Sequence, residues 1–208
     1  VIGQDAEFPK VTVILRRTPL EAARTIAAQM TKSRIRSMEV SLVTDDALDT
    51  IRALNDEFGD ELHIGAGTVR TVEEARAAID AGSSFLLSPV GFSQGIIDVA
   101  KDAGVVSVPS GFSPTEIATM FDMGADIVKV FPASRLGPAY LKDLAAPLGP
   151  LPLMVVGGIN AQNVQDYFDA GASYAGIGSG CFNPDDVATL NGEGIARSLA
   201  KLEKNVRW

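Results

Sequence analysis

Strand-like and helix-like segments alternate along nearly the whole chain, and nowhere does a hairpin turn join two strand-like segments. This alternation constrains the fold more than any single residue does. Consecutive strands without hairpins must run parallel, linked by right-handed crossovers that are usually helices. The first strand, Val11-Thr12-Val13-Ile14-Leu15, leads into Thr18-Pro19-Leu20-Glu21. That run reads as an N-cap, a proline at the first helical position and an acidic residue three after the cap. Further strands are expected at 37–42, 62–67, 84–87, 105–108, 126–131, 153–156 and 173–177. Helix starts are expected near Thr44 and Asp45, after Thr71, at 93, after Ser113, at Gly137-Pro138 and after Asn160. Ala81-Gly82, Ala103-Gly104 and Ala170-Gly171 supply glycine stops. About eight such units close most naturally into one (β/α)8 TIM barrel, read as a single domain over residues 1–208. An open doubly wound sheet is the alternative, weakened because no G-x-G-x-x-G follows the first strand.

Composition then removes whole classes of function. The net charge of −8 disfavours nucleic acid and anionic membrane as partners, without preventing a local site for a small phosphate. One cysteine, Cys181, excludes an intramolecular disulfide and a multi-cysteine metal site. A single histidine, His63, leaves the usual zinc ligand sets and most His-based triads without members. There is no secretory signal and no apolar run long enough to span a bilayer, so a cytoplasmic location is the default expectation.

Against that background the strand Asp126-Ile127-Val128-Lys129-Val130-Phe131 stands out, because a lysine sits in its middle. Alternation puts Ile127, Lys129 and Phe131 on one face and Val128 and Val130 on the other. Burial disfavours the ammonium and lowers its pKa, and a neutral lysine is a carbonyl nucleophile able to form a Schiff base. A strand-end lysine that snorkels to water is the competing explanation. In a barrel, reactive groups come from the C-terminal ends of strands and the loops beyond. That rule selects Arg16 after the first strand, Glu39 within the second, Thr68 after the third and Lys129 in the sixth. Glu39 alternates with Ser37 and Ser41 on a polar face suited to the barrel interior, where a carboxylate near a neutral lysine could shuttle protons. A structural ion pair is the other role open to it.

Two glycine-rich stretches close the last two strands: Gly157-Gly158-Ile159-Asn160 and Gly176-Ile177-Gly178-Ser179-Gly180. Loops after strands seven and eight are the usual phosphate site of this architecture, where glycines let backbone N–H groups approach the oxygens. Three other features take plainer roles. His63 lies early in its strand and reads as structural, Cys181 as a small buried or loop residue, and Lys201, Lys204 and Arg207 as a solvated helix face.

Taken together these residues resemble the class I aldolases of 2-keto-3-deoxy-6-phosphogluconate and its galactonate epimer. The words that carry the resemblance are Met38-Glu39-Val40-Ser41-Leu42, Gly65-Ala66-Gly67-Thr68-Val69, Val128-Lys129-Val130-Phe131-Pro132-Ala133, Val156-Gly157-Gly158-Ile159 and Gly176-Ile177-Gly178-Ser179. It implies Lys129 as the Schiff-base residue and Glu39 as the proton shuttle. It further implies Thr68 near the pyruvyl group, and Gly157, Gly158, Gly178 and Ser179 around a phosphate. Arg16, which ends the first strand beside the one bearing Glu39, is expected to reach the substrate carboxylate, and Phe131 is expected among the substrate-binding residues. The expected partners are a phosphorylated sugar acid and pyruvate, with no metal and no organic cofactor. A homotrimer and a place in sugar-acid breakdown of the Entner-Doudoroff kind are also implied by the resemblance alone.

The match is not uniform. Val43 stands where gluconate-type enzymes carry an arginine for the substrate carboxylate, whereas Ile14-Leu15-Arg16 resembles the galactonate branch. Ser88-Pro89-Val90-Gly91 and Pro109-Ser110-Gly111 fit neither branch closely. Competing functions are a phosphate-binding barrel isomerase or synthase, which would not need Lys129, and a metal-dependent pyruvate aldolase with Glu39 as ligand. A catalytically dead binding barrel, or an aldolase for an unphosphorylated 2-keto-3-deoxy or 4-hydroxy-2-oxo acid, are the others.

Overall fold

Every strand of the sheet runs parallel to its neighbours, as the absence of hairpins requires. The computed structural model describes residues 8–208. In chain order the strands are β1 (Val11–Leu15), β2 (Ser37–Ser41), β3 (His63–Gly67), β4 (Phe85–Leu87), β5 (Val106–Val108), β6 (Ser110–Gly111), β7 (Val128–Val130), β8 (Leu153–Val156) and β9 (Tyr174–Ile177). The helices between them are α1 (Leu20–Met30), α2 (Ala47–Phe58), α3 (Val72–Asp80), α4 (Gln94–Asp102), α5 (Pro114–Asp122), α6 (Ala139–Leu148), α7 (Val164–Asp169), α8 (Pro184–Ala188) and α9 (Gly192–Lys204).

The sheet order β5-β4-β3-β2-β1-β9-β8-β7-β6 has β5 and β6 at its two ends. These are consecutive in the chain, separated only by Pro109, so they are two halves of one barrel strand and the sheet closes through them. Pro109 lacks an N–H, but its carbonyl still accepts from the Lys129 N–H at 2.8 Å. The sequence expectation ended this strand at Pro109; the ladder continues past it because only a donor is lost there.

Helix starts follow local side-chain chemistry. Thr71 and Ser113 cap α3 and α5 as expected, and each forms a capping box, with Glu74 and Glu116 respectively. Other starts differ from expectation. Pro19, not Thr18, occupies the N-cap of α1, and Asp46 precedes α2 in a left-handed conformation. Helix α7 starts at Val164, after Asn163, because Asn160 is used in the turn before it: Oδ1 of Asn163 accepts from the Asn160 N–H and Oδ1 of Asn160 from the Gln162 N–H, both at 2.9 Å. The three glycine stops behave as read, with Gly82, Gly104 and Gly171 all at positive φ.

Alternation within each strand separates two cores. Outward residues such as Val13, Met38, Val40, Ile64, Val128, Val130, Val155 and Ile177 pack under the helices. Inward residues Ile14, Phe85, Leu87, Val108, Ile127, Met154 and Val156 fill the barrel. At the N-terminal end of the barrel Phe8 stacks edge-on against Phe85 and Tyr174, at centroid distances of 5.2 and 5.5 Å. His63 lies there too, half-buried, its ring 6.2 Å from that of Phe8. Among the described residues no helix is long and apolar enough to cross a membrane.

Candidate functional site

The polar inward residues gather toward the opposite, C-terminal end. Lys129 projects inward from β7 and is only 4% exposed, and Glu39 projects inward from β2 and is only 2% exposed. The lysine strand is held from both sides: Ser110 Oγ donates to the Lys129 carbonyl at 3.1 Å, and Lys129 pairs in register with Met154. Its ammonium lies 4.7 Å from the centre of the Phe131 ring, two residues on along the same face. Snorkelling is therefore not what this lysine does.

Glu39 reaches its position because β3 has no side chain there. A Cβ on Gly67 would lie 1.3 Å from Oε1 of Glu39, so the carboxylate occupies the space that any larger residue would fill. Gly65 makes room one layer lower in the same way, its missing Cβ lying 2.5 Å from the Phe85 ring. Oε2 of Glu39 is buried without a hydrogen-bond partner. Leaving a buried carboxylate oxygen unpaired is costly, and such an atom is free to accept a proton or a water.

Burial dominates the titration of both groups. Desolvation pushes the Glu39 carboxyl up to about 7, against the opposing pull of Lys129 and Arg16. Desolvation likewise lowers the Lys129 ammonium to about 8; Glu39 works against that shift and Arg16 reinforces it. Among the described residues neither side chain is in an ion pair within 4.0 Å, so they act on each other through space.

The remaining candidates lie round the same mouth. Arg16 follows β1, and its charge acts on both Glu39 and Lys129. The Arg17 backbone takes φ 53°, and its N–H donates to Thr44 Oγ1 at 2.9 Å. Thr68 follows β3 with φ 63° and its Oγ1 lies 2.7 Å from Ser41 Oγ. Because β8 and β9 are paired, Gly157-Gly158 and Gly178-Ser179 are adjacent loops at this end. Gly157 and Gly158 take φ 93° and 76°, and a Cβ on Gly158 would lie 2.5 Å from Ser134 Oγ. Phe131 lies against this turn, 3.1 Å from where a Gly157 Cβ would be. The mouth thus runs Lys129, the two glycine loops, Arg16, Glu39 and Thr68, in the order of strands β7, β8, β9, β1, β2 and β3.

Residues given plainer roles stay out of this cluster. His63 is at the other end of its strand, its pKa lowered by burial. The Cys181 thiol is buried and pushed up to about 12 by desolvation, which makes it a poor nucleophile. Lys201 and Lys204 are exposed on α9, and Arg207 pairs with Asp169. Sequence reasoning missed Gly67 and Ser41 as individual contributors. The available signal was their inward phase beside Glu39. Among the described residues no three His, Cys, Asp or Glu side chains converge on a metal position.

A family model described as KDPG and KHG aldolase matches residues 4–197. The chain is 32% identical over 174 residues to a 2-dehydro-3-deoxy-6-phosphogalactonate aldolase of Escherichia coli (strain K12), covering 83% of this chain and 84% of that one. It is 36% identical over 167 residues to a 2-dehydro-3-deoxy-phosphogluconate aldolase of Treponema pallidum (strain Nichols), covering 80% and 79% respectively. Among solved structures, a KDPG aldolase from Legionella pneumophila, with pyruvate captured at low pH as a covalent carbinolamine intermediate, superposes with a TM-score of 0.85. That match has 26% identity and covers 94% of both chains.

Proposed function

The chain belongs to the KDPG and KHG aldolase family, and from that premise we propose a class I aldolase acting on a 2-keto-3-deoxy-6-phospho sugar acid. The products are pyruvate and glyceraldehyde 3-phosphate. The observation that carries this reading is the closed interior shared by Lys129 and Glu39, in which burial makes the amine more readily neutral and the carboxyl more readily protonated.

The neutral Lys129 amine attacks the C2 keto carbon, and Oε2 of Glu39, buried without a hydrogen-bond partner, takes the amine proton as the carbinolamine forms. The same carboxyl returns that proton to the carbinolamine oxygen, a second proton from solvent turns the hydroxyl into water, which leaves, and a protonated imine remains. The Glu39 carboxylate then takes the C4 hydroxyl proton as C3–C4 breaks. The bonding pair moves into the iminium as an enamine and the aldehyde departs. Protonation at C3 and hydrolysis of the imine release pyruvate and regenerate Lys129.

Arg16 and Thr68 hold the pyruvyl carboxylate, Phe131 lies over the reacting nitrogen, and Gly157, Gly158, Gly178 and Ser179 cradle the phosphate. The first-strand ending Ile14-Leu15-Arg16 favours the galactonate epimer. The enzyme works as one barrel domain in the cytoplasm and assembles as a homotrimer. Val90 at 50% and Phe112 at 44% exposure line one apolar groove of the kind a second copy would cover.

Incubation with pyruvate and borohydride should leave a reduced pyruvyl group, and peptide mass mapping should place it on Lys129. An adduct elsewhere, or full turnover by Lys129→Ala, would overturn the assignment. A panel of phosphorylated and unphosphorylated galactonate- and gluconate-type acids, assayed by pyruvate release, identifies the substrate.

A further inference from the structure

Thr68 combines two features that call for a cause. It is β-branched and stands at φ 63°, a backbone region that such residues rarely enter. Its hydroxyl is also not left to rotate freely, because Oγ1 lies 2.7 Å from Ser41 Oγ. Ser41 is 1% exposed, points inward from β2 two residues beyond Glu39, and pairs in register with Gly67. The backbone at this corner is further fixed by the Leu42 N–H, which donates to the Gly67 carbonyl at 2.8 Å. Strained backbone of this kind persists where the surroundings over-determine it, and it concentrates at functional sites.

We infer that Ser41 is a positioning residue for the aldol reaction, holding Thr68 so that the threonine hydroxyl proton is presented to the carboxylate of the pyruvyl group. The inference rests on the class I reading above. Two hydroxyls sharing one hydrogen bond can polarise it either way. A bound carboxylate, which only accepts, selects the arrangement in which Ser41 donates to Thr68 Oγ1 and Thr68 donates onward. In a dry interior such a chain is cooperative: the first bond strengthens the second. Ser41 touches no reacting atom and acts only through its neighbour.

The test is a double-mutant cycle read on pyruvate binding, measured as the pyruvate concentration that half-saturates borohydride trapping at Lys129. Ser41→Ala should raise that concentration about three- to tenfold, and Ser41→Thr, which keeps a hydroxyl, should restore it. In a Thr68→Val background Ser41→Ala should add nothing, because the residue it acts through no longer has a hydroxyl. With pyruvamide, which lacks the anion, the Ser41→Ala effect should shrink to within about twofold. Independent, multiplying losses from the two substitutions would overturn the inference, as would equal losses on pyruvate and pyruvamide. If Ser41→Ala does not fold, Ser41→Cys, which keeps the volume but donates only weakly, takes its place in the same cycle. Unchanged half-saturation by pyruvate in Thr68→Val would also overturn the inference, because it would leave Ser41 nothing to position. Failure of the class I reading shows itself differently, as no adduct at all on the unsubstituted protein.

Discussion

Lys129 and Glu39 are each moved toward neutrality by burial, and each holds the other back. Their opposed shifts make activity depend on pH in a definite sense. Attack needs the free amine, whose fraction rises with pH through about 8, and it needs the carboxylate as acceptor, whose fraction rises through about 7. For the free enzyme, log kcat/KM should therefore climb with pH, most steeply below the lower value, less steeply between the two, and level above the higher. The two apparent values belong to the pair. Replacing Glu39 by Gln removes the one neighbour that raises the Lys129 pKa. The surviving limb should then shift to lower pH and become single, while the rate falls roughly 10²- to 10⁴-fold as for a lost general acid–base. Borohydride trapping across pH 5–10 checks both. A profile flat from 6 to 9, or a limb that moves up in Glu39→Gln, would contradict the coupling.

At the scale of elements, β3 matters through what it lacks. Gly67 is not at positive φ, so alanine there is compatible with the backbone, but its Cβ would take the place of the Glu39 carboxylate. Gly67→Ala should give a folded barrel with kcat reduced roughly 10²-fold or more, approaching the loss expected of Glu39→Ala. The two changes together should cost little beyond either alone. Circular dichroism and steady-state kinetics read this out, and a Gly67→Ala enzyme within twofold of normal would show that Glu39 has room elsewhere. Such effects explain what was legible in the sequence. Helix starts at Thr71 and Ser113 were legible because a cap acts on its own first turn. The inward phase of Glu39 and Lys129 was legible because strand periodicity is local too. The start of α7 was not, since Asn160 and Asn163 can each cap and only the turn geometry chooses between them. The continuation past Pro109 depends on a carbonyl that β7 uses, a long-range pairing no window of sequence contains. The Glu39–Gly67 approach is of that kind as well.

Across the whole molecule the two ends of the barrel carry different duties. Arg16, Glu39, Thr68, Lys129 and the glycine loops stand at the C-terminal ends of the strands. The N-terminal end is plugged by Phe8 against Phe85, Tyr174 and His63. Five-residue strands such as β2 and β3 separate these ends by about 3.3 Å per residue. A cavity opened at the bottom should therefore weaken the fold without reaching the site. Phe8 is half-buried, so Phe8→Ala should fall below the 3–5 kcal/mol typical of a fully buried phenylalanine, at about 1–3 kcal/mol. The loss comes from the edge-on contacts with Phe85 and Tyr174 and from the space left above the lowest layer of the interior, where Phe85 also fills the place opened by Gly65. Denaturant unfolding should show a lower midpoint with little change in slope, while kcat/KM and the yield of pyruvate adduct at Lys129 stay within about twofold below the melting range. A Phe8→Ala enzyme with unchanged stability and impaired turnover would mean that the bottom layer sets the position of Lys129 and Glu39 through Phe85 and Ile127, and that the two ends are mechanically one.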